Sequence, residues 1–501
     1  MATKIFLSHL ILLFALAFES CSTSTQSIAT SPSTIIHAAP QRTEAVPART
    51  VLQSKIDSIL DDSLLAPCFT GVEIISLDDG KVLYERNSNK LFHPASNMKL
   101  LTAATGLHAL GKDFRYTTHL YSDSMPSHGI LRGNVYIKGS GDPLFTTDDL
   151  DTIALSLEAI GIRLITGDLV GDVSYFDSLS WGSGWMWDDE PDPDEAFITP
   201  LTVNDNSFEV TVEAGKKLGT PATVTLHPES RMFTVINTSV TTTDTLLPLL
   251  SVTRLNKENT LFIKGRIAPH AVPHQFSLSV WEPEMYFLDL FLSRLLDHGI
   301  SVKGTTHIGT TTGKTILASR SHAIDTVMHK INKQSDNIAA ENLLKTIGAE
   351  QREIPGSAFH ALEEMKEYLA SMGIDTSLLI IRDGSGVSWY NAVTPAMIVA
   401  LLNAQYKDKQ TFETFYGSLP IAGVDGTLEH RLVGTQAAGK VHAKTGTLTG
   451  NSAISGYVAT ADGTLLAFSI LCTHFPREIS ILRGVQDAIL ELLANTKVSR
   501  E

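Results

Sequence analysis

Strand-forming runs stand at both ends of the folded part of this chain. Residues 69–76 and 81–86 have strand composition, and Asp78–Asp79–Gly80 between them is a hairpin signal. Three further strand-like runs lie near the other end, at residues 440–445, 452–460 and 464–472. Because helix signals fill much of the distance between the two ends, this order predicts one antiparallel sheet flanked by helices, an α/β (α+β) fold.

The helix signals divide the chain into two kinds of region. Predicted helices cover residues 97–110, 283–298, 337–347, 357–372 and 477–493. Between residues 127 and 280 the sequence changes to short Thr- and Val-rich runs separated by Gly, Pro and Asp, with one helix at 147–160. We therefore predict a main domain formed by residues 55–126 and 281–501, and an inserted β-rich block at 127–280.

The N-terminus carries an export signal. Lys4 precedes an almost wholly apolar run at residues 5–18, which suits the hydrophobic part of a secretory signal and is short for a membrane span. Residues 1–21 are predicted to be a signal peptide, and residues 22–54, rich in Ser, Thr, Ala and Pro, a flexible leader. Ser20 before Cys21 is similar to a bacterial lipoprotein processing site, with ordinary cleavage further on as the alternative. We expect export to the periplasm, with Cys21 as a candidate lipid anchor.

Composition excludes several kinds of partner. The chain has 54 acidic and 39 basic residues, a formal charge of −15, and lacks a strongly basic window, so no nucleic-acid partner is expected. The three cysteines lack the C-x-x-C spacing of a zinc site, and the prolines around His270 and His274 argue against a helical metal face. Residues 188–195, DDEPDPDE, are predicted to be a solvated acidic loop and not a cation site. We predict no metal and no cofactor, and the oligomeric state stays open.

The first of three short motifs is S-x-x-K at Ser96 and Lys99. At a spacing of three residues on a helix, the serine hydroxyl and the lysine amine share one face, and the amine can remove the hydroxyl proton during attack. The predicted helix start at Ser96 favours negative charge on a substrate oxygen. On its own such a pair is more often a capped helix with an exposed lysine.

The second motif is Ser335–Asp336–Asn337, directly before a predicted helix. A hydroxyl and a carboxamide two residues apart can both point into a cleft from a turn. Ser335 could then relay a proton while Asn337 orients a peptide bond, and Asp336 is interpreted as structural. A plain helix N-cap is the alternative.

The third motif is Lys444–Thr445–Gly446, at a predicted strand. Lys444 and the hydroxyl of Thr447 offer a cation and a donor for a carboxylate, and Gly446 leaves room for a substrate to lie along the strand edge. An ordinary strand end is the alternative. All three motifs occur in this order at the starts of predicted elements, which chance explains far less readily than any one of them.

The three motifs resemble the signature set of penicillin-binding proteins and serine β-lactamases. Most of the chain after residue 55 is similar to the D-alanyl-D-alanine carboxypeptidase/endopeptidase family, the class C low-molecular-mass penicillin-binding proteins. The resemblance rests on the segments HPASNMKLLTAATGL, GSGDP, RDGSGVS, GVDGTLEHRL and AKTGTLTGNSAISGYV, and on the long insertion between Lys99 and Ser335. It implies a penicillin-binding/β-lactamase-like transpeptidase fold with inserted β-rich domains, peptidoglycan stem peptides as substrates and β-lactams as inhibitors.

The resemblance also implies roles in an acyl transfer. Ser96 attacks the carbonyl of the penultimate D-alanine, neutral Lys99 takes its proton, and Ser335 passes a proton to the leaving amine. Asn337 holds the substrate amide, and backbone N–H groups of Ser96 and Thr447 form the oxyanion hole. The substrate carboxylate is received by Lys444, Thr445 and Thr447.

Three more positions follow from the resemblance. Asp172, in GDVSYF, matches a position where some relatives contact the free amino end of the stem peptide's diamino acid, an ordinary turn acid being the alternative. Trp389 stands where relatives often carry an arginine, so a meso-diaminopimelate contact is not assumed. Cys68 and Cys472 lie on strands that are neighbours in the family's sheet, so a disulfide between them is left open.

Two other functions are alternatives for a chain with these motifs. A β-lactamase needs a fast deacylating base, but no E-x-x-L-N segment follows Ser335–Asp336–Asn337, and the second motif begins with Ser and not Tyr. A non-catalytic β-lactam-sensing or cell-wall-binding protein would keep the pocket, although three intact motifs favour an enzyme. The balance between carboxypeptidase and endopeptidase activity stays open.

Overall fold

The computed structural model describes residues 50–352 and 354–498. Its α-helices are α1 (Val51–Leu60), α2 (Met98–Leu110), α3 (Thr147–Ala159), α4 (Pro283–Asp297), α5 (Ile324–Lys333), α6 (Asn337–Gln351), α7 (Ala358–Ser371), α8 (Pro395–Lys407), α9 (Phe412–Ser418) and α10 (Ile479–Asn495). Its first strands are β1 (Phe69–Ser76), β2 (Val82–Arg86), β3 (Arg115–Ser122), β4 (Ile130–Leu131), β5 (Val135–Lys138), β6 (Leu164–Ile165), β7 (Leu169–Asp172), β8 (Ser207–Glu213), β9 (Thr223–His227) and β10 (Thr234–Asn237). The remaining strands are β11 (Val240–Thr241), β12 (Ser251–Arg254), β13 (Thr260–Lys264), β14 (Arg266–Ile267), β15 (His274–Ser279), β16 (Ser301–Val302), β17 (Thr306–Ile308), β18 (Thr315–Ala323), β19 (Val441–Leu448), β20 (Asn451–Ala459) and β21 (Leu465–Thr473).

The main sheet joins the two ends of the described chain, as predicted. Its strand order is β19-β20-β21-β1-β2, and every neighbouring pair is antiparallel. Both faces are covered: Ala453 and Tyr457 belong to the core formed with helices such as α2 and α8, whereas Ile454 and Val458 belong to the core formed with α1 and α10. Burial on both faces agrees with β21 being a nearly continuous apolar run and with the small residues of β20, of which all but the last are buried. Each fully buried branched side chain contributes about 1.5–3 kcal/mol.

Strands on both sides of the predicted block at 127–280 take part in its sheet. A second five-stranded sheet has the order β17-β7-β5-β3-β18, so β3 and β17 pair with strands of the predicted insertion, and β18 pairs with β3. The residues of β18 are half-buried or exposed along the whole strand. Because such a strand shows little apolar contrast with its surroundings, composition alone does not reveal that it joins this sheet.

Helix α1 begins inside the predicted leader. Thr50 caps it, accepting a hydrogen bond from the backbone N–H of Gln53, and Ile56 and Leu60 are buried. The leader prediction for residues 51–54 is therefore wrong. The predicted signal peptide and Cys21 lie outside the described residues. Among the described helices, none combines the length and the apolar character needed to cross a membrane.

The two cysteines of the described chain are both free thiols. Strands β1 and β21 are antiparallel neighbours, but Cys472 pairs in register with Thr70 and not with Cys68. Burial raises the pKa of the Cys472 thiol. No disulfide joins Cys68 and Cys472 in the structure.

Candidate active site

Ser96 lies in a tight turn that leads into α2. Residues Ala95–Asn97 form one 3₁₀ turn, and Ala95 has a positive φ of 45°. Two glycines allow neighbouring segments to approach this turn: a Cβ atom on Gly446 would lie 2.9 Å from the Ser96 nitrogen, and one on Gly386 would lie 1.9 Å from the Ala95 oxygen. Gly446 therefore leaves room for the turn that contains Ser96. The sequence had indicated only that this glycine leaves room for a substrate.

Lys99 brings the first two motifs together. Its side chain is fully buried, and its Nζ lies 3.1 Å from Ser96 Oγ, 2.5 Å from Asn337 Oδ1 and 2.8 Å from the carbonyl oxygen of Ser385. The contact with Ser96 follows from the three-residue spacing at the helix start. The contact with Ser385 comes from the RDGSGVS segment, to which the sequence argument gave no role.

Lys444 brings the third motif to the second. Its side chain is also fully buried, and Nζ donates hydrogen bonds to Ser335 Oγ and to the carbonyl oxygen of Thr445, both at 2.8 Å. Asn97, the residue after Ser96, donates from Nδ2 to the carbonyl oxygen of Lys444 at 3.1 Å. Ser335 has a positive φ of 63°, a backbone conformation that residues other than glycine rarely adopt. Such outliers concentrate at functional sites.

Asp336 and Asn337 have different partners at the start of α6. Asp336 is the N-cap of α6 and accepts a hydrogen bond from the Ala339 N–H at 2.6 Å. Asn337 Nδ2 donates to the carbonyl oxygen of Asp194 at 2.9 Å. A carbonyl can only accept, so this contact directs the Asn337 amide oxygen toward Lys99. Asp194 belongs to the acidic segment, and the sequence gave no signal for a contact made by its backbone.

The acidic segment 188–195 is only in part the predicted solvated loop. Asp188 and Asp192 are exposed, but Glu190 is buried and forms an ion pair of 2.7 Å with buried Arg254. Burial and neighbouring carboxylates raise the pKa of Glu195 to about 8. Acidic side chains of the segment line a cavity of about 340 Å³ together with residues of β12 and β15. The segment is therefore anchored to the rest of the insertion through Glu190. It places the Asp194 carbonyl against Asn337 and the Glu195 carboxyl group near Lys99.

The threonines of the third motif have partners that the sequence argument missed. Thr445 Oγ1 donates to Thr427 Oγ1 at 2.7 Å, and Thr427 belongs to the GVDGTLEHRL segment. Arg483, on α10, donates from Nη2 to Thr447 Oγ1 at 3.4 Å. A second cation therefore stands at the end of the strand where a carboxylate was predicted to bind.

The two buried lysines have perturbed pKa values. Burial lowers the pKa of Lys99 to about 8, an effect that nearby carboxylates, among them Asp383, Asp336 and Glu341, partly oppose. Burial together with the charge of Lys99 lowers the pKa of Lys444 well below its ordinary value. A lysine with a pKa near neutral can serve as a proton acceptor in catalysis.

Asp172 lies apart from these groups. Its side chain is fully buried in β7, and its two carboxylate oxygens accept hydrogen bonds from the backbone N–H groups of Ser174 at 2.9 Å and Thr311 at 2.8 Å. These two hydrogen bonds hold a turn together, and the substrate contact of Asp172 stays a prediction. Trp389 is half-buried, and its ring packs edge-on against His93 with centroids 5.4 Å apart.

The chain is similar to known proteins over most of its length. Residues 52–496 match the model of the D-Ala-D-Ala carboxypeptidase 3 (S13) family. A D-alanyl-D-alanine carboxypeptidase from Actinomadura sp. (strain R39) is 35% identical over 480 residues, which are 92% of this chain and 88% of that protein.

Solved structures of penicillin binding protein 4 match the fold of this chain. The crystal structure of penicillin binding protein 4 (dacB) from Haemophilus influenzae matches with a TM-score of 0.80 at 25% identity, covering 89% of this chain and 100% of that one. The same protein complexed with a β-lactam matches with a TM-score of 0.74 at 24% identity and the same coverage. The antiparallel sheet flanked by helices is thus the predicted penicillin-binding/β-lactamase-like fold.

Proposed function

Because the chain belongs to the D-Ala-D-Ala carboxypeptidase 3 (S13) family and is a serine D-Ala-D-Ala carboxypeptidase, we propose that Ser96 is its nucleophile and Lys99 the base that activates it. The contacts of Lys99 Nζ support this assignment. A neutral amine has two N–H groups and one lone pair. Asn337 Oδ1 and the Ser385 carbonyl only accept hydrogen bonds, so the two N–H groups are directed to them, and the lone pair is left for the Ser96 hydroxyl at 3.1 Å.

The reaction then proceeds as an acyl transfer. Ser96 Oγ forms a bond to the carbonyl carbon of the penultimate D-alanine while its proton moves to Lys99. The C–N bond to the terminal D-alanine breaks, and the leaving amine receives a proton through Ser335, whose hydroxyl is 2.8 Å from Lys444 Nζ. Water later cleaves the ester and restores Ser96. The substrate amide is held by Asn337.

The carboxylate of the terminal D-alanine binds beside the third motif. Lys444, Thr445, Thr447 and Gly446 are proposed to form this subsite, and Arg483 adds a cation through its contact with Thr447. Backbone N–H groups of Ser96 and Thr447 form the oxyanion hole, where one donor typically contributes about 3 kcal/mol to transition-state stabilisation. Because Gly446 keeps β19 close to the Ser96 nitrogen, the two donors stand on adjoining segments.

The substrate class and the location are part of the same proposal. We propose that the enzyme acts on peptidoglycan stem peptides in the periplasm, that β-lactams acylate Ser96, and that Cys21 anchors the protein to the membrane if it is lipidated. The predicted export signal supports the location, and the complex of the Haemophilus influenzae relative with a β-lactam supports the inhibitor class.

A labelling and turnover experiment tests the proposal. The protein is incubated with a fluorescent penicillin and separately with a pentapeptide ending in D-Ala-D-Ala, with Ser96→Ala as the control. We expect a covalent label and alanine release that are both lost in the control. Labelling without alanine release would instead indicate a sensor, and rapid antibiotic hydrolysis a β-lactamase. Mass analysis of cross-linked peptidoglycan fragments after incubation measures any endopeptidase activity.

A further inference from the structure

A buried acid lies one helical turn beyond Asn337. Glu341 is on α6, and only 2% of it is exposed. Its Oε1 accepts hydrogen bonds from two consecutive backbone N–H groups, those of Gly384 at 2.9 Å and Ser385 at 2.7 Å. A carboxylate that receives two backbone donors in a dry interior fixes that stretch of backbone firmly.

The same stretch of backbone touches the proposed base. The carbonyl oxygen of Ser385 is 2.8 Å from Lys99 Nζ. On its other side, the carbonyl oxygen of Gly384 accepts a hydrogen bond from Thr102 Oγ1 at 2.7 Å, and Thr102 is on α2 together with Lys99. The segment is therefore held between α6 and α2, and Glu341 supplies the α6 side of that support.

We propose that Glu341 is a positioning residue for acylation: it fixes the Ser385 carbonyl that orients the Lys99 amine, and its negative charge compensates the ammonium form of Lys99. The proposal rests on the role of Lys99 proposed above. The geometry gives Glu341 two separable properties, because the hydrogen-bond acceptor positions the carbonyl whereas the charge acts on Lys99 through space.

Several charged groups face Lys99 from the elements packed around it. The RDGSGVS loop contributes Asp383, and α6 with its cap contributes Glu341 and Asp336. Burial raises the pKa of Glu341 to about 7 and that of Asp336 to about 6, so both carboxyl groups are charged near pH 8, where Lys99 loses its proton. The acidic segment of the insertion contributes Asp194, and also Glu195, which is mostly protonated at neutral pH because its pKa is raised to about 8. Strand β19 contributes Lys444. Removing one negative charge from this set favours the neutral amine. The pH at which Lys99 loses its proton should then fall.

Two substitutions separate the two properties. Glu341→Gln keeps an oxygen for the two N–H groups and removes the charge, whereas Glu341→Asp keeps the charge and withdraws the carboxylate by one methylene. The matched control is Glu350→Gln on the same helix, where the acid accepts a hydrogen bond from the Tyr175 hydroxyl at 2.6 Å. Each full-length variant is compared with the unmodified protein for its melting temperature and its acylation rate by a fluorescent penicillin between about pH 5.5 and 9.5.

We expect Glu341→Gln to move the acidic limb of the rate profile to lower pH by roughly half a unit or more. Glu341→Asp should leave the limb in place and lower the plateau rate about tenfold, since small displacements of a catalytic group are costly. The control should change neither. An unmoved limb in Glu341→Gln, or an equal shift in the control, would overturn the proposal. If Glu341→Gln does not fold, a plateau of Glu341→Asp equal to that of the unmodified protein overturns it.

A Lys99→Met variant keeps this test distinct from the test of the proposed function. If Lys99→Met is still acylated at a rate close to that of the unmodified protein, the assignment of Lys99 as base fails, whatever Glu341 does. If Lys99→Met is inactive while Glu341→Gln and Glu341→Asp behave like the unmodified protein, the base assignment stands and only the role of Glu341 is lost.

Discussion

Lys99 and Lys444 are both fully buried in the same site, yet their electrostatic surroundings are opposite. Lys99 has carboxylates on several sides, whereas the charged neighbour that acts most on Lys444 is Lys99 itself. The hydrogen bonds of Lys444 go to neutral acceptors, the Ser335 hydroxyl and the Thr445 carbonyl. A buried cation without a counter-charge is costly, so its proton is held weakly.

This difference suggests how substrate binding and base activation are linked. A substrate carboxylate beside Lys444 would supply the missing counter-charge and favour its ammonium form. A charged Lys444 would in turn disfavour a proton on Lys99, since two cations in a dry site repel strongly. The lysine with resident carboxylates is then ready to accept the Ser96 proton, and the lysine without them is ready to bind the ligand.

The largest expected effect on activity comes from replacing Lys99, the lysine that is surrounded by carboxylates. Lys99→Met should lower acylation by both penicillin and a D-Ala-D-Ala peptide by roughly 10³-fold or more, within the range of general-base contributions, because no other amine lies beside Ser96 Oγ in the described chain. Pre-steady-state labelling measures the rate. A loss smaller than tenfold for either ligand would mean that Lys444 is the base and would reverse the comparison.

Removing the other lysine should have a smaller and more selective effect. We expect Lys444→Met to slow hydrolysis of a peptide ending in a free carboxylate by about 100-fold, comparable to the loss of a buried charge pair. The same peptide with a C-terminal amide should lose much less, because it brings no charge for Lys444 to bind. Steady-state kinetics with the two peptides measures this ratio, and equal losses for both would exclude a role in carboxylate recognition.

The pH dependence of the unmodified enzyme sharpens the comparison further. The base must be neutral, and burial lowers the pKa of Lys99 to about 8, so kcat/KM should rise with pH and level off above that value. Below about pH 7 the rise approaches tenfold per pH unit, the slope of a single deprotonation. A limb near 10.4, where free lysine titrates, would contradict the burial argument.

The sequence predicted those site residues whose positions follow from local spacing. Ser96 and Lys99 share a helix face, and Asn337 follows an N-cap, so short motifs were sufficient to select them. The contacts made by the Asp194 and Ser385 carbonyls could not be predicted, because any residue carries a carbonyl and only the fold decides where it points. Asp172 was selected because it resembled a family position, and the structure uses its carboxylate to close a turn.

In the fold, too, features set by local sequence were predictable and features set by long-range pairing were not. The main sheet was predictable because its strands are runs of β-branched, aromatic and other apolar residues bounded by turn signals, most clearly in β1 and β21. The pairing of β3 with β18 was not, because the two strands are separated by nearly 200 residues of sequence. Long-range pairing between partly polar strands leaves little trace in local composition.

The smallest expected effect concerns the end of the site where Arg483 meets Thr447. The guanidinium contacts the threonine hydroxyl at 3.4 Å, a long hydrogen bond, and it lies on α10 at an exposed position. Exposed charges contribute about 1 kcal/mol or less, so Arg483→Met should raise KM for the carboxylate peptide by roughly threefold to fivefold and leave kcat nearly unchanged. Because screening weakens such a contact, the effect should shrink as salt rises from 0.05 to 0.5 M, whereas the effect of Lys444→Met should not. A salt-independent loss in Arg483→Met would show that the arginine acts inside the dry part of the site, and the contrast between a buried and an exposed cation would have to be abandoned.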